Sequence, residues 1–268
     1  MDEILKELPP GALVLDLGSA QGSFARGATL ATAIRFDQEA PARIDGEIVV
    51  LGDAAYLPFA DGVFQAVISN HSLEHFENLE HSLGEIGRVI HPRGALFVSV
   101  PDASTLTDHL YRWLARGGGH VNAFFSPEEV IRAIERATGL GHVATKTLCS
   151  SLSFLNRRNS PLPRPRRLLL LGGGFEWSLL LYTWASRRID CLLHTRTSIY
   201  GWAFYFGEIS SHILRATSLN VCIRCGSGTP AATLKERRLV RSWLPVFRRY
   251  TCPGCGATNP FIEDKNLR

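Results

Sequence analysis

Apolar residues recur in short runs along the first 102 residues of the chain. The runs are rich in Val, Ile and Leu, and they cover Ala12–Leu17, Ala31–Phe36, Ile48–Leu51, Phe64–Ser69 and Ala95–Val100. Short, nearly continuous apolar runs are typical of strands that are buried on both faces of a sheet. Longer amphipathic segments lie between them, and this alternation predicts an α/β fold with a parallel, doubly wound sheet.

Two segments have clear helical patterns. In Glu74–Ile90 the apolar residues are three and four positions apart, which predicts an amphipathic helix. A second helix is expected to begin after Ser126, with Pro127 in its first position, and to end at Gly139. Weaker patterns predict two further strands and one helix, at His142–Leu148, Ser198–Gly207 and Glu176–Arg188.

The first strand is followed by Gly18 and Gly22, and a helix is expected to begin near Ser19. Glycines are needed where the backbone turns tightly or approaches a ligand. Asp16 lies at the tip of the first strand and Asp37 ends the second, where a carboxylate can accept hydrogen bonds from a ribose. The pattern departs from the dinucleotide-binding G-x-G-x-x-G fingerprint, and a plain structural turn is the alternative.

The segment Leu15–Gly22 resembles motif I, D-x-G-x-G-x-G, of class I S-adenosylmethionine-dependent methyltransferases, with Ala20 in place of the middle glycine. Four further blocks resemble that family in the same order, and they are Phe36-Asp37, Gly52–Phe59, Phe64–Leu73 and Glu85–Leu96. The resemblance covers about residues 11–102. The subgroup that methylates ubiquinone-type and other small molecules is the most similar.

The resemblance implies a seven-stranded, mostly parallel sheet and S-adenosylmethionine as cofactor. It also implies a role for each matching residue. The methionine part of the cofactor would lie against Asp16, Gly18 and Gly22, the ribose against Asp37, the adenine against Asp53 with Ala54 beside it, and the methyl-transfer pocket against Asn70. Ser19 and Ala20, in the same turn, would also contact the cofactor.

Three histidines are candidates for the general base of methyl transfer. His71 and His75 follow the fourth strand, and His120 comes directly after three glycines. For any single one of them, a surface or helix-capping role is the favoured alternative. The segment His71–His75 also matches H-x-x-E-H of zinc proteases, but that motif requires a helix, and His71 is expected at a strand end.

Four of the six cysteines form two C-x-x-C-Gly motifs, with 26 residues between the second and the third of these cysteines. These cysteines, Cys222, Cys225, Cys252 and Cys255, predict a tetrahedral Zn²⁺ site in a zinc ribbon. Metal binding supplies the folding energy that so small a module lacks. A redox dithiol pair and an Fe–S site are alternatives, and Cys149 and Cys191 are expected to be core or incidental thiols.

Charge is distributed unevenly along the chain. Residues 1–140 contain 10 Lys and Arg against 19 Asp and Glu, whereas residues 141–268 contain 19 against 6. Basic residues of the ribbon, with Trp243, Phe247 and Tyr250, are one possible surface for RNA. A structural module or a dimer contact is the alternative. The basic and apolar stretch 164–188 suits a lipid-like acceptor, a membrane surface or a helical insertion.

We therefore expect a methyltransferase domain at 1–215, with an insertion at about 150–197, and a zinc ribbon at 216–268. The expected reaction is methyl transfer from S-adenosylmethionine to a small-molecule, glycan or lipid-linked acceptor. An RNA methyltransferase and a non-catalytic interaction protein are the alternatives. Neither a secretory signal nor a transmembrane segment is evident, which favours a cytoplasmic location. The pattern indicates no oligomeric state.

Overall fold

The computed structural model describes residues 1–20, 22–25, 27–40, 46–115, 119–158, 174–210, 218–244 and 247–263. The helices are α1 (Asp2–Glu7), α2 (Leu79–Val89), α3 (Leu106–Ala115), α4 (Pro127–Thr138), α5 (Glu176–Leu193) and α6 (Ala231–Glu236). The strands are β1 (Leu13–Leu17), β2 (Thr32–Asp37), β3 (Ile48–Leu51), β4 (Phe64–Asn70), β5 (Ile90–Pro101), β6 (His142–Cys149), β7 (Ile199–Gly207), β8 (Val240–Leu244), β9 (Phe247–Thr251) and β10 (Thr258–Pro260). Short 3₁₀ turns cover Leu73–His75 and Ser153–Leu155.

The central sheet has seven strands in the order β3-β2-β1-β4-β5-β7-β6. Strand β1 pairs in parallel with both β2 and β4, and the pairs β2–β3 and β4–β5 are parallel as well. The chain therefore winds outwards from β1 to one edge and then returns to begin the other half at β4. This arrangement confirms the predicted doubly wound sheet, and it puts the topological switch point between β1 and β4.

The helix predicted after Ser126 is confirmed as α4. The Ser126 side chain accepts a hydrogen bond from the Glu129 N–H, and Gly139 ends the helix in the left-handed conformation. The helix predicted at Glu74–Ile90 begins five residues later, because the Asn78 side chain caps α2 by accepting from the His81 N–H. The preceding residues Leu73–His75 form a 3₁₀ turn instead.

The helix expected to begin near Ser19 is absent from the described residues 22–25 and 27–31, which form turns and bends. Side chains satisfy backbone groups that a helix would bond internally. The Ser23 N–H donates to Asp16 Oδ2 at 2.9 Å, and the Arg35 guanidinium donates to the Phe24 carbonyl at 2.9 Å. Polar side chains that bond the backbone locally compete with helix formation in this way.

The described chain divides into two compact units. The first comprises residues 1–102, 119–146 and 202–215. Its core packs α2 and α4 against the sheet through fully buried side chains such as Leu15, Val67, Ile86, Leu96 and Phe204. This unit contains the residues that resemble the cofactor site.

The second unit comprises residues 103–118, 147–201 and 216–268. It contains α5 and an antiparallel three-stranded sheet in the order β10-β9-β8, in which β8 and β9 lie between the two cysteine motifs. The fully buried Arg187 donates to the carbonyls of Ser150, Ser198 and Leu219. The unit thus joins residues 147–201 to the cysteines, and a separate domain at 216–268 stays a prediction.

Part of the basic and apolar stretch, 159–173, lies outside the described residues. Within the ranges described above, no helix combines the length and the apolarity that crossing a bilayer requires.

Asp190 is almost fully buried in the second unit and accepts hydrogen bonds from Thr195, Thr197 and Ser198. Burial acts to raise the pKa of its carboxyl, but these hydrogen bonds outweigh it and hold the pKa below the ordinary 3.8. A carboxyl with a lowered folded-state pKa stabilises the fold above its unfolded pKa. That contribution is lost as the pH falls through the folded-state pKa.

We predict that Asp190→Asn lowers the free energy of unfolding by about 2–3 kcal/mol at pH 7, because an amide cannot accept this set of hydrogen bonds. The difference from wild type should shrink below pH 4, because the carboxyl is protonated first in the unfolded state and, at lower pH, in the folded state as well. Urea denaturation followed by circular dichroism from pH 3 to 7 measures both effects. The exposed Asp61, changed to Asn, is the control, and an equal loss in both variants would contradict this role of Asp190.

Candidate functional site

The carboxyl ends of β1, β2, β3 and β4 lie side by side at one edge of the sheet. Because these strands are parallel and adjacent, the residues at their ends occupy neighbouring positions. Gly18 follows β1, Asp37 ends β2, Asp53 comes two residues after β3, and Asn70 ends β4. The sheet thus places four of the predicted cofactor residues along a single edge.

Backbone hydrogen bonds attach the loop after β1 to β2. The N–H groups of Gly18 and Ser19 both donate to the Phe36 carbonyl, at 2.9 and 3.2 Å. Gly18 and Gly22 have φ values of +67° and +101°, and Ala20, where motif I has glycine, has +44°. An L-residue is strained in this left-handed region, so Ala20 holds a conformation that suits glycine better.

Asp37 organises this loop from the end of β2. Its Oδ2 accepts from the Ala20 N–H at 2.7 Å, and its Oδ1 accepts from the Glu39 N–H at 3.2 Å. Asp53 is exposed, and its Oδ1 accepts from the Ala55 N–H at 2.9 Å. A carboxylate oxygen has two lone pairs, so both carboxylates keep acceptor capacity for a ligand. Ala54, next to Asp53, is buried.

Asp16 lies beneath the loop rather than in it, because its side chain is fully buried. It forms an ion pair with Arg35, which also donates to Glu47 at 2.8 and 2.9 Å. Burial raises the pKa of the Asp16 carboxyl, and hydrogen bonds from Ser23 and Arg35 oppose that rise. A Cβ added at Gly22 would come within 2.6 Å of the Arg35 guanidinium, so this glycine makes room for the buried ion pair.

Asn70 and His71 are fixed to β5 by Ser99. The Ser99 hydroxyl donates to Asn70 Oδ1 at 2.8 Å, and the His71 N–H donates to the Ser99 carbonyl at 3.0 Å. His71 has a φ of +55°, and its Nδ1 lies 3.6 Å from Glu74 Oε1. The tip of β4 is therefore held at both its backbone and its side chains.

The other two candidate histidines lie together. The rings of His75 and His120 meet edge to face with centroids 5.0 Å apart. The Gly119 carbonyl lies 3.0 Å from His75 Nδ1. One ligand atom from each of Glu74, His75 and His120 lies within 4.8 Å of the others, although Glu74 was not expected from the sequence to be a site residue.

The four cysteines predicted to bind metal converge in the second unit. Their sulfur atoms all lie within 4.8 Å of one another. Cys222 and Cys255 have an S–S distance of 3.5 Å, and Cys225 and Cys252 have one of 3.7 Å. Tetrahedral Zn²⁺ with ~2.3 Å Zn–S bonds separates its sulfurs by about 3.8 Å, so these distances fit that geometry.

Hydrogen bonds to the sulfurs differ around the cluster. Burial raises the pKa of Cys222 to about 12. Burial also acts to raise the pKa of Cys225, but hydrogen bonds from Ser227 and neighbouring thiols outweigh it and lower that pKa to about 7. Cys222 Sγ accepts from the Arg224 N–H at 3.4 Å and from Asn259 Nδ2 at 3.5 Å, contacts that suit a thiolate.

Comparison with known proteins bears on the first unit. The family described as "Methyltransferase domain" matches residues 15–98. The chain is 32% identical over 186 residues to the malonyl-[acyl-carrier protein] O-methyltransferase of Methylococcus capsulatus, a match that covers 60% of this chain and 68% of the relative. The chain belongs to the class I S-adenosylmethionine-dependent methyltransferases.

Two other similarities are narrower. A probable tRNA methyltransferase 9B from Bos taurus is 31% identical over 105 residues, and these are 37% of this methyltransferase but only 23% of the relative. The structure of a putative sarcosine dimethylglycine methyltransferase from Galdieria sulphuraria matches with a TM-score of 0.50 at 18% identity, over 77% of this chain and 80% of that one. The second similarity supports the fold alone.

Sequence reasoning missed two residues at the edge of the methyltransferase sheet. Arg35 is a charged residue inside the apolar run of β2. A charged residue in such a run is rarely buried without a partner, so its position could have indicated a buried ion pair. Glu74 was noted only as part of H-x-x-E-H. Its role depends on the 3₁₀ turn, which the helical periodicity of the following residues hides.

We predict that Gly18→Ala destabilises the methyltransferase by about 2–4 kcal/mol and weakens S-adenosylhomocysteine binding at least tenfold. The added Cβ would come within 2.9 Å of Ser72 Oγ and closer still to Ser72 Cβ, at a position with positive φ. Gly11→Ala is the matched control, because Gly11 has φ +83° and open space around its Cβ. Denaturation measures the stability of both variants, and calorimetry measures their S-adenosylhomocysteine affinity. Because both positions have a positive φ, equal losses in the two variants would indicate backbone strain and contradict the crowding against Ser72.

Proposed function

We propose that this methyltransferase transfers a methyl group to an oxygen atom of a small acceptor, free or carried on a glycan, lipid or carrier. The observation that carries the proposal is the 186-residue match to an O-methyltransferase, which extends well beyond residues 15–98. The match to the tRNA methyltransferase spans 105 residues and so leaves most of that relative uncovered. The longer match favours a small acceptor over RNA.

The residues along the sheet edge fit the cofactor. Asp37 has acceptor capacity left for the ribose hydroxyls, and Asp53 is exposed and able to accept from the adenine amino group. The turn from Gly18 to Gly22 would present backbone to the methionine part. Asp16 would act indirectly, because its buried carboxylate holds Ser23 and Arg35 rather than a ligand.

S-adenosylmethionine supplies a methyl group already activated by its sulfonium, so the protein has mainly to position the acceptor and exclude water. Asn70, with its oxygen occupied by Ser99, offers amide donors at the tip of β4. His71, next to Asn70 and 30% exposed in its side chain, is the residue we assign to receive the proton of an acceptor hydroxyl. A carboxylate acceptor would need no such base.

Basic residues of the second unit give weaker support to an RNA acceptor. Arg224 pairs with Glu176, and Lys235 and Arg248 both pair with Glu263. These three cations are partly neutralised within the fold. They are therefore less available to phosphate than their number suggests.

We predict that the wild-type chain binds S-adenosylhomocysteine saturably and that Asp37→Ala weakens binding at least tenfold, through loss of the ribose acceptor and of the bond to Ala20. Glu39→Ala is the control, because its side chain is exposed on the same loop. Isothermal titration calorimetry measures both. A well-folded wild type that fails to bind would overturn the enzymatic proposal and favour a non-catalytic interaction protein.

The acceptor class is tested separately with radiolabelled S-adenosylmethionine. Malonyl-carrier thioesters and free phenols are offered as small acceptors, and total tRNA as the competing class. Labelling of a small acceptor supports the proposal. Labelling of tRNA alone, with RNA binding that falls steeply with salt, would replace it by an RNA methyltransferase.

We infer that Cys222, Cys225, Cys252 and Cys255 hold one structural Zn²⁺. Four sulfur donors with near-tetrahedral spacing fill the coordination of zinc and leave no open position for catalysis. Residues of the second unit support the first motif, because Ser151 donates to the Cys222 carbonyl at 2.8 Å and Asn156 donates to the Ile223 carbonyl at 2.9 Å. An ion there would therefore stabilise segments far from the cysteines in sequence.

Removal of this ion is expected to destabilise the second unit, because its free energy of binding is coupled to folding. We predict that Cys252→Ser lowers the thermal midpoint by more than 5 °C and abolishes thiolate-to-metal absorption after Co²⁺ substitution. Cys191→Ser, a change in a thiol outside the cluster, should leave both unchanged. Loss of the absorption in both variants, or in neither, would contradict the assignment.

A further inference from the structure

Glu74 is a buried carboxylate, and the described residues around it do not satisfy both of its oxygen atoms. Its side chain is 2% exposed, and within the described residues its Oε2 has no hydrogen-bond partner. Its other oxygen lies 3.6 Å from His71 Nδ1, beyond hydrogen-bond distance. A buried carboxylate is costly without a partner, so Oε2 is expected to face a donor or a cation.

His75 is oriented in a way that suits metal binding. A carbonyl oxygen only accepts hydrogen bonds, so the 3.0 Å contact with Gly119 places the proton of a neutral His75 on Nδ1. That leaves the Nε2 lone pair available for another partner. Histidines that bind metal ions usually donate their other ring N–H to a carboxylate, a backbone carbonyl or a water, which fixes their tautomer.

The backbone around the three side chains is tied together. The Glu74 carbonyl accepts from the N–H groups of Val121 and Asn122, at 2.8 and 3.0 Å. The Asn122 side chain donates to the carbonyls of Leu73 and Phe76, at 2.9 and 2.7 Å. These bonds join the 3₁₀ turn to the segment that carries His120. Backbone hydrogen bonds of the fold therefore hold the segments that carry the three candidate ligands in place.

We propose that Glu74, His75 and His120 bind one divalent transition-metal ion. One carboxylate oxygen and two imidazole nitrogens suit Zn²⁺, Fe²⁺ or Mn²⁺ better than Ca²⁺ or Mg²⁺, which prefer oxygen ligands. Ligand atoms of one ion are at most about 4.2 Å apart with ~2.1 Å bonds, so the present 4.8 Å limit requires only a small closure. His75 is exposed, which gives the ion a path from solvent.

Three protein ligands leave coordination positions open at such an ion. Because the site directly follows β4, close in sequence to Asn70 and His71, an open position would accept an oxygen of the acceptor and favour its deprotonated form. This role alone rests on the proposed function. Binding of the ion does not, since it needs neither cofactor nor acceptor.

The whole chain is stripped of metal, and its four-cysteine cluster is first saturated with Zn²⁺. Co²⁺ is then titrated, and calorimetry and visible absorption follow its binding. We expect a further equivalent of Co²⁺ to bind, with d–d bands and no thiolate charge-transfer band. Glu74→Gln and His120→Ala should each weaken this step at least tenfold. Glu80→Gln and His81→Ala, which alter exposed side chains on α2, are the matched controls and should bind as wild type does.

Absence of the second equivalent in wild type would overturn the proposal, as would unchanged binding by both Glu74→Gln and His120→Ala. Because Glu74→Gln keeps the size of the side chain, its thermal midpoint and its S-adenosylhomocysteine affinity should stay near wild type. That result separates loss of metal from loss of fold. A failure of the cofactor titration leaves this metal titration unaffected, so failures of the two proposals are distinguishable.

Discussion

The ion pair between Asp16 and Arg35 determines how the glycine turn after β1 is held. Arg35 projects from the middle of β2, donates to Asp16 on β1 and to Glu47, and also reaches the Phe24 carbonyl. Removing one partner of such a pair would leave an uncompensated buried charge, a change that typically costs about 3–5 kcal/mol. The described residues between the turn and β2 form no helix, so these side-chain bonds take over the positioning that helical hydrogen bonds give elsewhere.

The turn above this pair is constrained from both sides. Gly18 has no space for a side chain against Ser72, and Ser72 in turn donates to the Leu17 carbonyl at 2.9 Å. Asp37 binds the Ala20 N–H, which keeps that alanine in a left-handed conformation. Strain at a single residue persists where the surrounding contacts over-determine it, and such positions are common at ligand sites. The preformed turn is thus consistent with a site whose backbone does not reorganise when ligand binds.

The sequence was sufficient to predict the seven-stranded sheet. Apolar runs such as Ile48–Leu51 and Phe64–Ser69 coincide with β3 and β4 almost to the residue, because buried strands admit few polar side chains. The same logic could not predict that the described residues 22–25 and 27–31 of the first crossover form no helix. The backbone there is bonded instead through Asp16 and Arg35, which lie on neighbouring strands. Hydrophobic periodicity within a short segment cannot reveal hydrogen bonds of this kind. The sulfur cluster, in contrast, was predictable from the sequence. Each C-x-x-C motif is a local structure, so its spacing alone indicates that its two sulfurs lie close together.

The segment His71–His75 shows how one spacing yields different chemistry on a different backbone. On an α-helix, residues i and i+4 share a face, so H-x-x-E-H would bring both of its histidines to one ion. Here His71 leaves the end of β4 with a positive φ, and the following 3₁₀ turn favours neighbours at i and i+3. His71 therefore lies beside Glu74, and His75 meets His120 from a later segment instead. The donor atoms of the motif are all present, but the tertiary fold determines which of them lie close enough to bind the same cation.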